Sequence, residues 1–387
     1  MTLLTKPVIA ILLAVLVAFL APAASRAQLF DTKAPYAILM DYDSGTVLFE
    51  KAADERFEPA SMAKLGVTEY VFNELKEGRL SLDDEFTVSE HAWRTGGAPS
   101  GGSAMYAEIH SRVPLRFLLR GLIVQSGNDA AIVLAEGVAG SEAAFADRLT
   151  HRGAELGLKD SRWQNAPGLH DPDQYVTARD LAVLARHIIQ SYPEYYPIFS
   201  EPEFTWNNIR QSNRNPLLDD GIGVDGLKTG FIKESGYGIT VSAKRNDQRL
   251  ILVLAGLQSE QERVVEATKL LDWGFRNFTQ VTAFEEDEVV AAASVYGGVV
   301  GDVPLKAEAA IRFLVPRDAG ETLRARVVYE GPLVAPVEEG RQVGNFKVWI
   351  GERLIQEVPL YTAAAVEQGP LHSRALDALG ELLFGWL

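Results

Sequence analysis

The sequence predicts an α+β fold in which an antiparallel sheet packs against helices, followed by a small all-β domain at the C-terminus. Between residues 28 and 280, strand patterns lie at both ends and helical patterns fill the middle. This grouping favours one antiparallel sheet covered by helices over a repeating β-α-β chain. From about residue 281, short β-branched segments separated by turns predict the second domain. A chain of 387 residues has room for both.

The first domain begins with a predicted β-hairpin and continues with helices. Alternation of apolar and polar residues over 36–42, the turn Asp43-Ser44-Gly45 and a second run over 46–50 predict the hairpin. Apolar residues then recur at helical spacing from Ser61 to Lys76, and Gly78 ends the run. Further helical patterns cover residues 115–124, 129–138, 142–156 and 177–191.

Strand patterns return before the second domain. Residues 237–243 and 249–255 have the composition of two strands, and a helix is predicted from Gln261 to Asn277. The acidic run Glu285–Glu288 is interpreted as a solvated entry to the second domain. Strand patterns in that domain cover residues 289–295, 309–315, 323–329, 342–350 and 353–360.

Residues 1–27 have the pattern of a secretory signal peptide. Lys6 precedes an apolar stretch over 8–20 that is short for a membrane span, and Ser25-Arg26-Ala27 forms a cleavage site before Gln28. The alternative is an uncleaved anchor or a buried first helix. We therefore expect an exported, periplasmic protein with a first domain over 28–280 and a β-rich domain over 281–367.

Composition excludes several classes of function. The formal net charge of −15 becomes −17 when removal of residues 1–27 deletes Lys6 and Arg26, and such an acidic chain is a poor binder of nucleic acid. The chain has no cysteine, so disulfides, thiol catalysis and thiolate metal sites are excluded. Six scattered histidines without an H-E-x-x-H motif give no support for a metal site, and no cofactor is expected.

The first motif with chemical content is Ser61-Met62-Ala63-Lys64. Residues three apart share one face of a helix, so the Lys64 amine can lie beside the Ser61 hydroxyl and activate it as a nucleophile. A lysine acts as a base near neutral pH only where desolvation or another cation lowers its pKa from about 10.4. Alone, S-x-x-K is equally compatible with Ser61 as a helix N-cap and Lys64 as a solvated residue.

Two further tripeptides follow at 126–128 and 228–230. Ser126-Gly127-Asn128 lies between two helical patterns; its hydroxyl could relay a proton, and its amide could position a substrate amide or Lys64. By itself it could also be a helix end and the next N-cap. Lys228-Thr229-Gly230 precedes a predicted strand, where a lysine and a hydroxyl can bind a carboxylate and a glycine lets a peptide approach the backbone.

In this order, S-x-x-K, S-x-N and K-T-G resemble the three motifs of penicillin-binding proteins and serine β-lactamases. The flanking residues resemble the low-molecular-mass D-alanyl-D-alanine carboxypeptidases of the peptidase S11 family over most of the chain. Two departures are Ala63, where the family often has threonine, and Pro167, where some members have histidine. The segments that carry the resemblance are 59–65, 126–130, 175–180, 213–215 and 224–230.

This resemblance implies the penicillin-binding-protein transpeptidase fold and a serine hydrolase acting on peptidoglycan stem peptides. Ser61 would attack the penultimate D-alanine carbonyl while Lys64 takes its proton, and Ser126 would help to protonate the leaving D-alanine. Asn128 would position the substrate amide or Lys64. Lys228 and Thr229 would bind the carboxylate, and the oxyanion would be held by backbone N–H groups of Ser61 and, by analogy, Tyr237. β-Lactam antibiotics should acylate Ser61 in the same way.

The last residues predict an amphipathic helix suited to a membrane surface. Apolar residues recur at steps of three and four from Leu371 to Leu387, beginning after Gly369-Pro370, and polar residues occupy the other face. The alternative is a helix that packs on its own protein or on a second copy. Carboxypeptidases of the family that this chain resembles carry such a tail as a membrane anchor. We therefore expect residues 368–387 to attach the protein peripherally to the cytoplasmic membrane.

Three alternative functions share these motifs. A class A β-lactamase places a deacylating glutamate between the second and third motifs, but the E-x-x-x-N found there, Glu203 to Asn207, lies too close to Lys228 to match. A DD-endopeptidase on peptidoglycan cross-links would use the same residues. A non-catalytic wall-binding protein on the same fold is disfavoured because all three motifs are intact.

Overall fold

The computed structural model describes residues 30–218, 220–317 and 323–371. Backbone contacts divide the chain into Met1–Asp31 and Thr32–Leu387, and the description below concerns the second unit. The signal peptide predicted at 1–27 and, except for Leu371, the predicted tail helix lie outside the described residues. Within the described part of the chain, no helix combines the length and the apolar character needed to cross a bilayer.

A five-stranded antiparallel sheet organises the first domain. Its order is β2-β1-β9-β8-β7, so strands far apart in sequence become neighbours and β7 lies at one edge. The strands are β1 (Tyr36–Asp41), β2 (Val47–Lys51), β7 (Val224–Ile232), β8 (Gly236–Arg245) and β9 (Gln248–Leu257). Two two-stranded antiparallel sheets also form in this domain: β3 (Glu85–Thr87) with β4 (Arg112–Pro114), and β5 (Glu203–Trp206) with β6 (Ile209–Ser212).

Helices cover both faces of this sheet. They are α1 (Lys64–Lys76), α2 (Leu115–Ile123), α3 (Asn128–Ala139), α4 (Glu142–Glu155), α5 (Ala178–Ser191) and α6 (Glu260–Asn277). Ile38 and Met40 of β1 join the core formed with α1 to α5. The intervening Leu39 meets Gly274 of α6, because successive side chains on a strand point to opposite faces.

The predicted elements of the first domain are confirmed, with two differences near the motifs. The helix predicted from Ser61 begins as a 3₁₀ turn, Ala60–Ala63, and becomes α-helical only at Lys64. Ala60 has φ +49°, so the chain enters this turn from a non-helical conformation. Lys228-Thr229-Gly230 lies inside β7, and not before a strand as predicted. The sequence did not predict β7 because two glycines and a lysine interrupt its apolar pattern.

The C-terminal region forms the predicted all-β fold with its own core. A six-stranded sheet has the order β14-β16-β17-β12-β11-β15, and β10 pairs with β13. Its core includes Phe313, Phe346 and Leu360. The strands are β10 (Phe278–Phe284), β11 (Ala291–Tyr296), β12 (Asp302–Lys306), β13 (Ile311–Pro316), β14 (Leu323–Tyr329), β15 (Leu333–Val334), β16 (Gln342–Ile350) and β17 (Arg353–Thr362).

Candidate active site

Ser61 lies in the 3₁₀ turn at the start of α1, at the edge of a cleft of about 500 Å³. Side chains three apart are eclipsed in a 3₁₀ turn, so Lys64 lies directly beside Ser61. The Lys64 Nζ–Ser61 Oγ distance is 2.9 Å. The predicted pairing of nucleophile and amine is therefore present, although the local geometry is 3₁₀ and not α.

Lys64 is fully buried and has two acceptors besides Ser61. Its Nζ donates to Asn128 Oδ1 at 2.8 Å and to the Pro167 carbonyl at 2.6 Å. Burial lowers the pKa of Lys64 to about 7, and the nearby Asp129 carboxylate opposes this shift. A neutral amine has two N–H donors and one lone pair; if the two carbonyl oxygens take both donors, the lone pair faces the Ser61 hydroxyl. The arrangement suits a general base for Ser61.

Ser126 and Asn128 reach the cleft from the junction of α2 and α3. Ser126 has φ +65°, and Asn128 is the first residue of α3. The buried Asp129 carboxylate accepts hydrogen bonds from the backbone N–H groups of Met105, Ala107 and Ala130. Asp129 thus ties the start of α3 to the neighbouring loop and keeps Asn128 against Lys64. The sequence placed Asp129 beside the second motif but suggested no role for it.

Lys228 enters the cleft from the opposite side, on β7. Its Nζ donates to Ser126 Oγ at 2.8 Å and to the Thr229 carbonyl at 3.1 Å. Burial, together with nearby Lys64 and Arg263, lowers the pKa of Lys228 well below its usual range. Ser126 therefore links the helical side of the cleft to the strand side.

Gly230 is needed for packing within the protein. A Cβ at this position would lie 2.9 Å from the Pro59 carbonyl and 3.2 Å from Ala60 Cβ. The edge strand therefore contacts the turn that carries Ser61. Gly230 also lines the cleft, and its predicted role in letting a peptide substrate approach the backbone stays a prediction.

The sheet topology favours Phe231 over Tyr237 as the second backbone donor to the oxyanion. Tyr237 lies on β8, which is paired with β7 on one side and β9 on the other, so its N–H points into the sheet. On the edge strand, the Thr229 carbonyl accepts from Lys228 and so faces the cleft. Backbone groups two residues apart on a strand point the same way, which directs the Phe231 N–H to the cleft as well. Tyr237 still lines the cleft, and its ring stacks on Phe231 with centroids 4.2 Å apart.

Arg263 is a cleft residue that the sequence did not reveal. Its side chain projects from α6, is only 4% exposed and donates to Glu260 at 2.8 Å. Its Nε is buried without a hydrogen-bond partner in the structure. Arg263 lies on the buried face of α6, at a position where the helical period predicts an apolar residue. A charged residue at such a position was the one sign in the sequence that Arg263 has a special role. The unpartnered Nε of this guanidinium, close to Lys228, is suited to binding an anion.

The described lining of the cleft is poor in carboxylates. Among the described residues that line it, Glu260 is the one carboxylate, and it pairs with Arg263. Glu203, from the E-x-x-x-N pattern, lies on β5 and pairs with Arg210 outside the cleft. Within the described parts of the chain, no group of three or more histidine, aspartate or glutamate side chains is arranged to hold a metal ion.

Comparison with known proteins identifies both domains. Residues 22–259 match the family described as D-alanyl-D-alanine carboxypeptidase, and residues 278–368 match the C-terminal domain of penicillin-binding protein 5. The chain is 40% identical to D-alanyl-D-alanine carboxypeptidase DacC of Escherichia coli over 343 residues, covering 88% of this chain and 86% of that one. Identity to DacA of the same organism is 35% over 353 residues, covering 90% and 87%.

Solved structures agree with these matches. Penicillin-binding protein 5 from Haemophilus influenzae superposes with a TM-score of 0.80 at 35% identity, over 88% of this chain and 99% of that one. Penicillin-binding protein 6B from Escherichia coli gives a TM-score of 0.69 at 33% identity, over 87% and 97%. The predicted fold, with its C-terminal all-β domain, is confirmed.

Proposed function

The chain belongs to the D-alanyl-D-alanine carboxypeptidase family, and on that basis we propose that it removes the terminal D-alanine from peptidoglycan stem peptides through an acyl-enzyme on Ser61. The observation that carries this assignment is the geometry of Lys64. Its Nζ lies 2.9 Å from Ser61 Oγ, and two carbonyl oxygens are placed to hold its N–H groups. Burial lowers the pKa of this amine to about 7, so an appreciable fraction is neutral and basic at neutral pH.

In acylation, Ser61 Oγ attacks the carbonyl carbon of the penultimate D-alanine while its proton passes to Lys64. The oxyanion is held by the backbone N–H groups of Ser61 and Phe231, since Phe231 lies on the free edge of β7. When the C–N bond breaks, the leaving amine takes a proton from Lys64 with Ser126 as the relay. An ester on Ser61 and free D-alanine result.

The strand side of the cleft recognises the substrate carboxylate. Lys228 and Thr229 lie on β7, and Arg263 adds a guanidinium with a free Nε. A carboxylate placed among these groups forms charge-assisted hydrogen bonds and favours the charged form of Lys228. This cluster favours a substrate whose leaving amino acid carries a free carboxylate, which is the carboxypeptidase reaction.

Water then attacks the ester, and Lys64 accepts its proton. Glu260, the one carboxylate among the described residues that line the cleft, is engaged by Arg263 at 2.8 Å and is not free to act as a deacylating base. The cleft therefore offers no free deacylating carboxylate of the class A β-lactamase kind among the described residues, which favours a β-lactam target acylated at Ser61 over an efficient β-lactamase.

The direct experiment is to incubate purified protein with a peptide ending in D-Ala-D-Ala and to measure free D-alanine. We expect release by the wild type and none by Ser61→Ala. A cross-linked muropeptide dimer serves as the parallel substrate, and cleavage of the dimer faster than release of D-alanine would assign an endopeptidase instead. Release that survives Ser61→Ala would overturn the nucleophile assignment.

We also propose that the chain is exported, loses residues 1–27, and lies in the periplasm against the cytoplasmic membrane through residues 368–387. The basis is the signal-peptide pattern and the apolar period from Leu371 to Leu387. Deleting residues 369–387 should move the protein from the membrane fraction to the soluble fraction of lysed cells. Retention in the membrane fraction after that deletion would contradict the anchor.

A further inference from the structure

The Pro167 carbonyl that holds Lys64 belongs to a loop, residues 163–174, without regular helix or strand over most of its length. A backbone bridge between Arg162 and Tyr175 closes the base of the loop. A carbonyl that directs a catalytic amine must be held within a few tenths of an ångström, because a displacement of about 1 Å can cost about 100-fold in rate. We therefore expect specific contacts that hold the backbone of this loop in place.

Gln174 makes such contacts. Its side chain is only 1% exposed and lies outside the cleft. Its Oε1 accepts from the backbone N–H groups of Gln164 and Asn165 at 3.1 and 3.2 Å. Its Nε2 donates to the Leu169 carbonyl at 3.0 Å. One amide thus joins the two ends of the segment 164–169, which has Pro167 between them.

Asn165 completes the arrangement from inside the segment. Its Oδ1 accepts from the N–H groups of Gly168 and Leu169 at 2.9 and 2.8 Å, and its Nδ2 donates to the Leu169 carbonyl at 3.0 Å. The proline ring fixes φ at Pro167. The backbone around the Pro167 carbonyl therefore has little freedom while Gln174 is in place.

We propose that Gln174 is a positioning residue for the reaction: by holding both ends of segment 164–169, it keeps the Pro167 carbonyl where that oxygen orients the Lys64 amine toward Ser61. Without this carbonyl, one N–H of the neutral amine loses its acceptor and the lone pair is no longer directed at the Ser61 hydroxyl. Gln174 touches neither substrate nor Lys64, so its effect passes entirely through the loop. This inference rests on the proposed function.

The first test is Gln174→Ala, which removes all three bonds. We expect the second-order rate constant for acylation by a fluorescent penicillin to fall about 10- to 100-fold. With a D-Ala-D-Ala peptide, kcat should fall while KM stays within about twofold, because the carboxylate site on β7 is untouched. A loss carried by KM, or acylation within about twofold of the wild type, would overturn the proposal.

Gln174→Glu provides a readout that a loss of stability alone would not produce. An ionised carboxylate can accept from Gln164 and Asn165 but cannot donate to Leu169, whereas a protonated carboxyl can do both. Burial, with Asp171 and Asp173 close in the sequence, favours an elevated pKa for the introduced carboxyl. The acylation rate of this variant relative to the wild type should therefore increase as the pH falls from 8 to 6, although each absolute rate falls as Lys64 is protonated.

Gln356→Glu is the matched control. Gln356 is also buried and also donates to a backbone carbonyl, that of Arg312 at 3.1 Å, but it lies in the C-terminal domain. The ratio of the acylation rate of Gln356→Glu to that of the wild type should stay near one and should not change with pH. A flat relative rate for Gln174→Glu would reject the positioning role, whereas a wild type that is never acylated would reject the proposed function itself.

Discussion

Each side of the cleft buries a lysine, and the two lysines have different surroundings and different proposed roles. On the helical side, Lys64 is surrounded by oxygen acceptors and lies near the Asp129 carboxylate. On the strand side, Lys228 lies close to other cations, including Arg263. Desolvation lowers the pKa of both amines; nearby cations, including Arg263, add to this shift at Lys228, whereas the Asp129 carboxylate opposes it at Lys64.

This difference shows how one cleft can hold a base and an anion site together. Lys64 has its donors satisfied within the protein, so its lone pair is available before substrate arrives. Lys228 and Arg263 lie close together with Glu260 as the one cleft carboxylate among the described residues, and a substrate carboxylate would favour the charged form of Lys228. The helical side should therefore control the chemical step, and the strand side should control binding of carboxylate-ended substrates.

The largest effect should come from Lys64→Met, which keeps the volume of the side chain but removes the base. We expect acylation of Ser61 to fall by about 10³-fold, within the range for loss of a general base. Time-resolved labelling with a fluorescent penicillin measures this. Lys306→Met, at an exposed ion pair in the C-terminal domain, is the control. A decrease below about tenfold would remove the distinction between the two lysines.

Arg263→Met should affect binding more than chemistry. For a peptide ending in D-Ala-D-Ala, we expect KM to increase by about 10- to 100-fold, because a charge-assisted contact is lost. A peptide with a C-terminal carboxamide should be a poor substrate for both proteins and insensitive to the change. Arg276→Met, on the exposed face of the same helix, is the control. Equal losses on both peptides would show that Arg263 does not read the carboxylate.

Gly168→Ala tests how tightly the loop must pack against the turn before Ser61. Gly168 has φ +79°, and a Cβ there would lie 1.9 Å from the Ala60 carbonyl oxygen. We expect roughly a tenfold loss of acylation as the neighbouring Pro167 carbonyl moves. Gly157→Ala is the control, because Gly157 has φ +80° and no heavy atom lies within 4 Å of a Cβ placed there. This variant has the same conformational cost of about 1–2 kcal/mol as Gly168→Ala but no clash. Similar kinetics for the two variants would mean that the clash is relieved without moving the loop.

The dependence on pH tests the same distinction without a mutation. Because Lys64 must be neutral to act as a base and burial lowers its pKa to about 7, kcat/KM should rise with pH through this value. At pH 7 it should be about half of its plateau, and at pH 6 roughly a tenth. Stopped-flow acylation between pH 5.5 and 9 measures the profile. A constant rate between pH 6 and 8 would assign the base to a group other than Lys64.

Most secondary-structure elements could be predicted because their signals are local. The hairpin at 36–50 and the helices before and after Asn128 follow from periodicity over a few residues. β7 was missed because Gly226, Lys228 and Gly230 occupy positions that a strand pattern fills with apolar residues. Gly230 packs against the turn before Ser61, Gly226 packs against Tyr196 and Phe199, and Lys228 binds Ser126, all of which are contacts with distant parts of the chain.

The candidate site divides in the same way. Ser61 and Lys64 are paired by one turn of backbone, so their contact follows from their spacing. Strand order, and not sequence position, decides which backbone N–H groups are free, and it favours Phe231 where the sequence suggested Tyr237. Arg263 and Gln174 gave no motif because each acts only after α6 or the 163–174 loop has packed.

By itself, the sequence determined the order of the elements, the all-β character of the second domain and the pairing of Ser61 with Lys64, since these depend on short-range geometry. Only the tertiary structure decided which oxygens surround Lys64, through contacts to Asn128 and Pro167 that lie far along the chain. It also decided that β7 is an edge strand and that Arg263 faces Lys228. The physical reason is that burial and close packing, which set the charge of the amines and the direction of each donor, exist only once distant segments have come together.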